Sequence, residues 1–166
     1  MYNWRVLNCL KLWAQSIWTY SETDLKLLVS PFTELSFGIL KLQSMNTRYL
    51  PFHLKVIEIL NELSAHTGTY IPSCTFCIEI LGMPELQKPA KGNDDKLFEY
   101  ELAVKMPKSQ QRSIEGLHLV MIHAINLIVG FCAAHAGSVY LPELAVPIIR
   151  SLGKVKKMIF VSEIVT

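Results

Sequence analysis

Two stretches of this chain echo one another: Ser64-Ala65-His66-Thr67-Gly68-Thr69-Tyr70-Ile71-Pro72 and Ala133-Ala134-His135-Ala136-Gly137-Ser138-Val139-Tyr140-Leu141-Pro142. Each follows a long apolar stretch and ends on a proline that can open a helix, because proline at a first helical position gives up no hydrogen bond. The reading predicts a joint in which one helix ends on a left-handed glycine, Gly68 or Gly137. A tyrosine, Tyr70 or Tyr140, then packs back over the turn while proline sets the next axis. Pro31 and Pro72 lie 41 positions apart and Pro72 and Pro142 lie 70 apart. The second interval contains a 24-residue polar insertion, Pro84 to Pro107, and without it measures 46. Both match a helix-pair repeat of the HEAT or armadillo kind, in which each pair buries its face against a neighbour. The expected fold is therefore an all-α solenoid of about three helix pairs, one segment over 1–166, with the insertion at about 84–107.

Apolar periodicity supplies the elements. Val6, Leu7, Leu10, Trp13, Ala14 and Ile17 make the stripe of an amphipathic helix over about Asn3 to Trp18. Leu25 to Leu42 reads as a short turn and a helix restarted at Pro31. Pro51 opens a third helix that runs to about Ala65 and stops at Gly68, and Pro72 opens a fourth that ends near Leu81-Gly82. Leu97 to Val104 alternates in polarity and is expected to lie extended. Ser109 is the expected cap of a long helix to about Ala136, and Pro142 begins a last one to about Met158. Trp4, Trp13 and Trp18 in the first helix, with an apolar tail from Ile159 to Val165, are unlike polar capping repeats. Both ends are expected to meet further helices or a partner.

Composition narrows the chemistry. With 16 Lys and Arg against 14 Asp and Glu, the net +2 provides no global field to draw in nucleic acid, so any such contact is local. At 51% hydrophobic and 18% charged the chain is built to form a core. Its four cysteines lack the dense, even spacing of a secreted disulfide framework, and no signal-peptide pattern opens the sequence, which together favour a reducing compartment. Cys74-x-x-Cys77 stands alone in an apolar run and reads as core packing, because a structural zinc site needs four ligands. His118 and His123 lack the intervening glutamate of the His-Glu-x-x-His zinc motif, and His66 and His135 are expected to hydrogen-bond turn carbonyls. There is no Gly-x-Ser-x-Gly, no glycine-rich phosphate loop and no evidently buried carboxylate pair. The expectation is a chain that is not an enzyme and needs no cofactor or metal.

Several blocks carry a family resemblance: Asn3-Trp4, Leu10-Lys11-Leu12-Trp13, Thr47-Arg48-Tyr49-Leu50-Pro51, Thr67-Gly68-Thr69-Tyr70-Ile71-Pro72, Lys105-Met106-Pro107-Lys108-Ser109 and Tyr140-Leu141-Pro142-Glu143-Leu144-Ala145-Val146-Pro147. In this order they resemble the nucleolar complex protein 2 family of ribosome-assembly factors. The resemblance implies a helical-repeat scaffold of the nucleus and nucleolus. Its implied partners are other nucleolar complex proteins, family members 1 and 3, and pre-ribosomal particles of the large subunit. His53 and Glu58 depart from the basic residues expected there, so the resemblance carries no RNA contact over to that stretch.

Two other readings stay open. Lys105, Lys108 and Arg112 line one loop and helix start, and Arg150, Lys154, Lys156 and Lys157 line the last helix, which allows a local RNA-binding module without aromatic interleaving. From these, Lys108, Arg112, Lys154, Lys156 and Lys157 are the candidate surface contacts. Leu117 to Pro142 contains no Asp, Glu, Lys or Arg over 26 residues, long enough for a bilayer span at 117–141. The favoured reading of that stretch is a central helix buried on all sides, which leaves no membrane contact.

Overall fold

The computed structural model describes residues 2–20, 24–42, 46–87 and 102–164, with Gln87, Arg112, Ile114 and residues 154–164 described by backbone alone. Every regular element among the described residues is helical. They fall into two compact units, Met1–Ser73 with Glu99–Met106, and Cys74–Phe98 with Pro107–Thr166.

The first unit is built around one helix. Helix α1, Trp4–Thr19, starts where the Asn3 side chain accepts the Val6 N–H at 3.0 Å, satisfying a donor the helix itself leaves unpaired. A 3-10 turn, Asp24–Leu28, leads into α2, Val29–Lys41, with Pro31 in its first turn. A second 3-10 turn, Thr47–Tyr49, leads into α3, Leu50–Thr67. Leu7, Leu10, Ala14 and Ile17 form the buried face of α1, which packs on α3. Helix α3 is buried nearly all round: Leu50, Phe52, Leu54, Ile57, Leu60 and Leu63 expose nothing. At 25 cal/mol per Å2 of apolar surface, each such side chain contributes about 1.5–3 kcal/mol. A stripe through Lys55, Glu58, Asn61 and Glu62, and the last turn Ala65 to Thr67, reach solvent partly or fully.

Gly68, with φ +64°, ends α3 in the left-handed region as the joint motif predicts. Around it the Ser64 hydroxyl donates to the Thr69 carbonyl and the Thr67 hydroxyl to that of Leu63, both at 2.7 Å. The first bond ties the last turns of α3 to the chain beyond Gly68.

The second unit holds α4, Cys74–Leu81, the single turn α5, Pro84–Gln87, a 3-10 turn Gln110–Arg112, α6, Ile114–Ala134, and α7, Leu141–Ile164. Helix α4 packs on α6, and both α4 and α5 touch α7. A Cβ at Gly116 would stand 2.8 Å from the Gln110 carbonyl, so glycine is what lets the 3-10 turn seat against α6.

Five expectations are corrected. Ser109 caps nothing: the Pro107 carbonyl accepts both the Gln110 and Gln111 N–H groups, which winds a 3-10 turn first, and α6 begins after Ser113. Gly137 is not left-handed; α6 ends three residues earlier at Ala134. The turn there is closed by the His135 N–H on the Cys132 carbonyl and the Ser138 hydroxyl on the His135 carbonyl at 2.6 Å. Pro84 opens a helical turn instead of a loop, because Met83 and Leu86 are buried and anchor it. The insertion from 88 to 101 lies outside the described residues. Leu102 to Val104, the described end of the supposed extended segment, contains no strand. Finally, α6 is not buried on all sides; α3 is the helix that comes close to that.

Candidate interaction surfaces

Beside the face that packs on α3, α1 presents a second apolar flank. Val6, Trp13 and Ile17, spaced at seven and four residues, face Leu28, Phe32 and Leu35 across a groove of about 510 Å3. Its lining is apolar throughout, and three of its large side chains are open to solvent, Trp13 at 51%, Leu35 at 56% and Leu28 at 37%. The groove therefore presents apolar surface that water wets in the free chain. From Val6 to Ile17 it extends about 16 Å at 1.5 Å per residue, the length of three helical turns.

The opposite flank of α1 is polar. Trp4 carries the Lys55 ammonium 5.2 Å from its ring centroid, and Lys11, Glu58 and Glu62 complete the wall of a small pocket of about 130 Å3. Its walls carry both signs of charge and leave no single sign to attract a ligand.

At the start of α3 two distant segments meet. The Met106 N–H donates to the Arg48 carbonyl at 2.7 Å, which brings Lys105 to the 3-10 turn Thr47–Tyr49. The Lys105 ammonium and the Arg48 guanidinium each lie 5.9 Å from the Tyr49 ring centroid. Tyr2 stacks on Tyr49 at 4.5 Å and 29°, and its hydroxyl donates to the Ile39 carbonyl at 3.3 Å. Burial, with Tyr49 as a lesser cause, pushes the Tyr2 hydroxyl above its ordinary pKa, so it stays a donor. Beside it, His53 is 2% exposed, its Nε2 makes no hydrogen bond, and desolvation lowers its pKa from 6.5 to about 4. It is a neutral core histidine.

The candidate contacts chosen from sequence lie in the other unit. Lys108 is exposed in the turn before Gln110–Arg112, and Arg112 closes that turn. Lys154, Lys156 and Lys157 lie within α7, with side chains outside the described residues. Lys105, grouped with Lys108 in the sequence, has the aromatic neighbour that the sequence reading denied it. The signal was available: Thr47 to Pro51 and Lys105 to Ser109 both stood out as blocks, but nothing in the sequence says that they touch.

Helix α6 shows two faces. Val120, Ala124, Ile128 and Phe131 are buried, while Leu119, Ile122, Ile125 and Val129 are 39–60% exposed. By length and composition the stretch Glu115–Ala134 is apolar enough to cross a membrane, and little of it is buried within the fold. Burial pushes the Cys77 thiol up to about 12 and raises that of Cys74, as expected of packed cysteines, and no group of three metal-binding side chains occurs among the described residues. His66 is exposed and stacks on Trp18 at 4.8 Å, in place of the expected bond to a turn carbonyl. His135 is buried between Phe131 and Tyr140.

Comparison with known proteins puts these surfaces in context. The model of the Noc2p family matches residues 1–165. A nucleolar complex-associated protein 2 of Arabidopsis thaliana is 31% identical over 109 residues, 65% of this chain and 14% of its own length. A nucleolar complex protein 2 of Drosophila melanogaster is 22% identical over 153 residues, 92% of this chain and 20% of its own. The Arabidopsis protein REBELOTE is 26% identical over 146 residues, 87% and 24%. The chain thus spans no more than about a quarter of the length of these relatives.

Proposed function

The chain belongs to the Noc2p family, and from that premise we propose that it is a non-catalytic scaffold in ribosome biogenesis, which binds partner nucleolar complex proteins while large-subunit precursors are assembled and moved through the nucleus. Its place is the nucleolus, the compartment two of its relatives carry in their names. The architecture that serves this role is an α-solenoid, supported by proline spacings of 41 and, without the insertion, 46 residues.

The observation that carries the reading is the groove between α1 and α2. A cleft three turns long with no charge on its walls selects an amphipathic helix that offers an apolar stripe, the helix-in-groove mode of recognition. Trp13 at its mouth is the residue type that dominates such interfaces. The occupant is a helix of a partner protein in the assembly. The test is affinity purification of the tagged chain from its own cells, with nuclease, compared with the variants Leu35→Glu and Trp13→Glu. Both sites are already exposed, so the fold tolerates the change. Protein partners that survive nuclease are expected to fall at least tenfold with either variant. Partners retained by both variants, or lost from the parent on nuclease treatment alone, overturn the reading.

A further inference from the structure

The cluster at the head of α3 combines features that the protein-binding groove lacks. Arg48 and Lys105 are both exposed, and among the described residues neither is paired with a carboxylate. Since each lies 5.9 Å from one ring, the two cations are at most about 12 Å apart, and their repulsion is relieved by an anion between or beside them. The ring they share is held in place: Tyr2 stacks on it and is tethered to α2 by its hydroxyl, while Asn46 accepts the Arg48 N–H at 3.0 Å. The Met106 N–H on the Arg48 carbonyl fixes Lys105 on the same ring.

We propose that Arg48, Tyr49 and Lys105 form a contact site for single-stranded RNA, the cations taking phosphates and Tyr49 a base. An acidic peptide would use the charges and leave the ring idle, whereas cation and aromatic plane together are what an unpaired strand binds. A duplex keeps its bases stacked and offers none to a ring. With a net charge of only +2, binding rests on this local cluster and its salt dependence counts few phosphates. This site is independent of the groove: its variants test RNA contact and leave recovery of protein partners unchanged.

The experiment is fluorescence anisotropy of the full chain with a labelled oligouridylate across a salt series. The Arg48→Gln/Lys105→Gln double variant, changed only at exposed positions, is expected to bind at least tenfold more weakly. Its log–log salt slope should be shallower by about 1.4, roughly 0.7 for each phosphate lost from a single strand. Tyr49→Ala is expected to weaken binding about 5- to 100-fold with the slope unchanged, and Tyr49→Phe to restore it. Circular dichroism identifies a Tyr49 variant that has failed to fold, and the double variant then decides alone. The proposal is overturned if the parent does not bind the oligonucleotide, if the double variant binds with parental affinity and slope, or if Tyr49→Ala folds and binds normally. Displacement of the RNA by polyglutamate at equal charge concentration overturns it too, in favour of an acidic-peptide site.

Discussion

Helices α3 and α6 occupy equivalent places before the two echoing joints, yet they meet solvent in opposite ways. Helix α3 carries Lys55, Glu58 and Glu62, and these gather on one stripe while the surface outside that stripe and the last turn is buried. Helix α6 has only Glu115 among charged residues and leaves Leu119, Ile122, Ile125 and Val129 exposed. A charged stripe on a buried helix marks where water is; a charge-free helix with one open face marks surface the fold itself leaves uncovered. The stability of the free chain should therefore rest on α3 far more than on the apolar length of α6.

The largest expected effect tests that asymmetry. Leu60→Ala removes a side chain with no exposure and leaves a cavity at the centre of its unit, at a cost of about 2–5 kcal/mol. Ile122→Ala, 43% exposed on α6, is expected to cost under about 1 kcal/mol, since most of its surface is already wet. Urea unfolding followed by circular dichroism measures both. Equal losses would break the comparison and mean that α6 is covered in the free chain, for instance by self-association.

The confusion between the two helices shows how far the sequence reaches. Periodicity located α1, α3 and α4 to within a few residues, because a 3.6-residue stripe is a local signal, as are the proline and glycine that flank α3 and α4. What periodicity does not contain is the neighbour. Without charges, α6 reads as surrounded, yet one of its faces is open, while α3, with three charges, is the more enclosed of the two. Val6 and Trp13 belong to the apolar stripe of the first helix in the sequence and line an open groove in the fold. The Arg48–Lys105 cluster depends on one hydrogen bond between segments far apart in the chain, which no local pattern encodes. Gly137 fails for another reason: a serine hydroxyl can satisfy a helix-end carbonyl as well as a left-handed turn can, and Ser138 does so.

His53 adds a pH dependence on the α3 side of the comparison. Its folded-state pKa, about 4, lies below the ordinary 6.5, so the folded chain holds it neutral and the unfolded chain binds its proton more readily. Its contribution is fully present above pH 6.5, and is lost as pH falls from there through about 4. At 1.36 kcal/mol per unit the loss amounts to roughly 3 kcal/mol. In His53→Leu the ring that must stay neutral is gone, and the difference between variant and parent stability should grow in favour of the variant over that interval. A parallel pair of stability curves between pH 7 and pH 4 would mean that His53 is protonated in the fold or reaches water.

The smallest effect separates the two joints themselves. Gly68 sits at φ +64° with open space where a Cβ would be, so Gly68→Ala meets no clash but forces alanine into the left-handed region, at a cost of about 1 kcal/mol. Gly137 has the same open space and no left-handed backbone, so Gly137→Ala has no such strain to carry. It also restricts the unfolded chain, which makes it neutral or stabilising by a few tenths of a kcal/mol. Paired thermal melts of the two variants read this as opposite displacements from the parent. A matching loss at Gly137 would mean that the second joint closes on a left-handed glycine as the sequence echo suggests, and that the two turns are true repeats of one another.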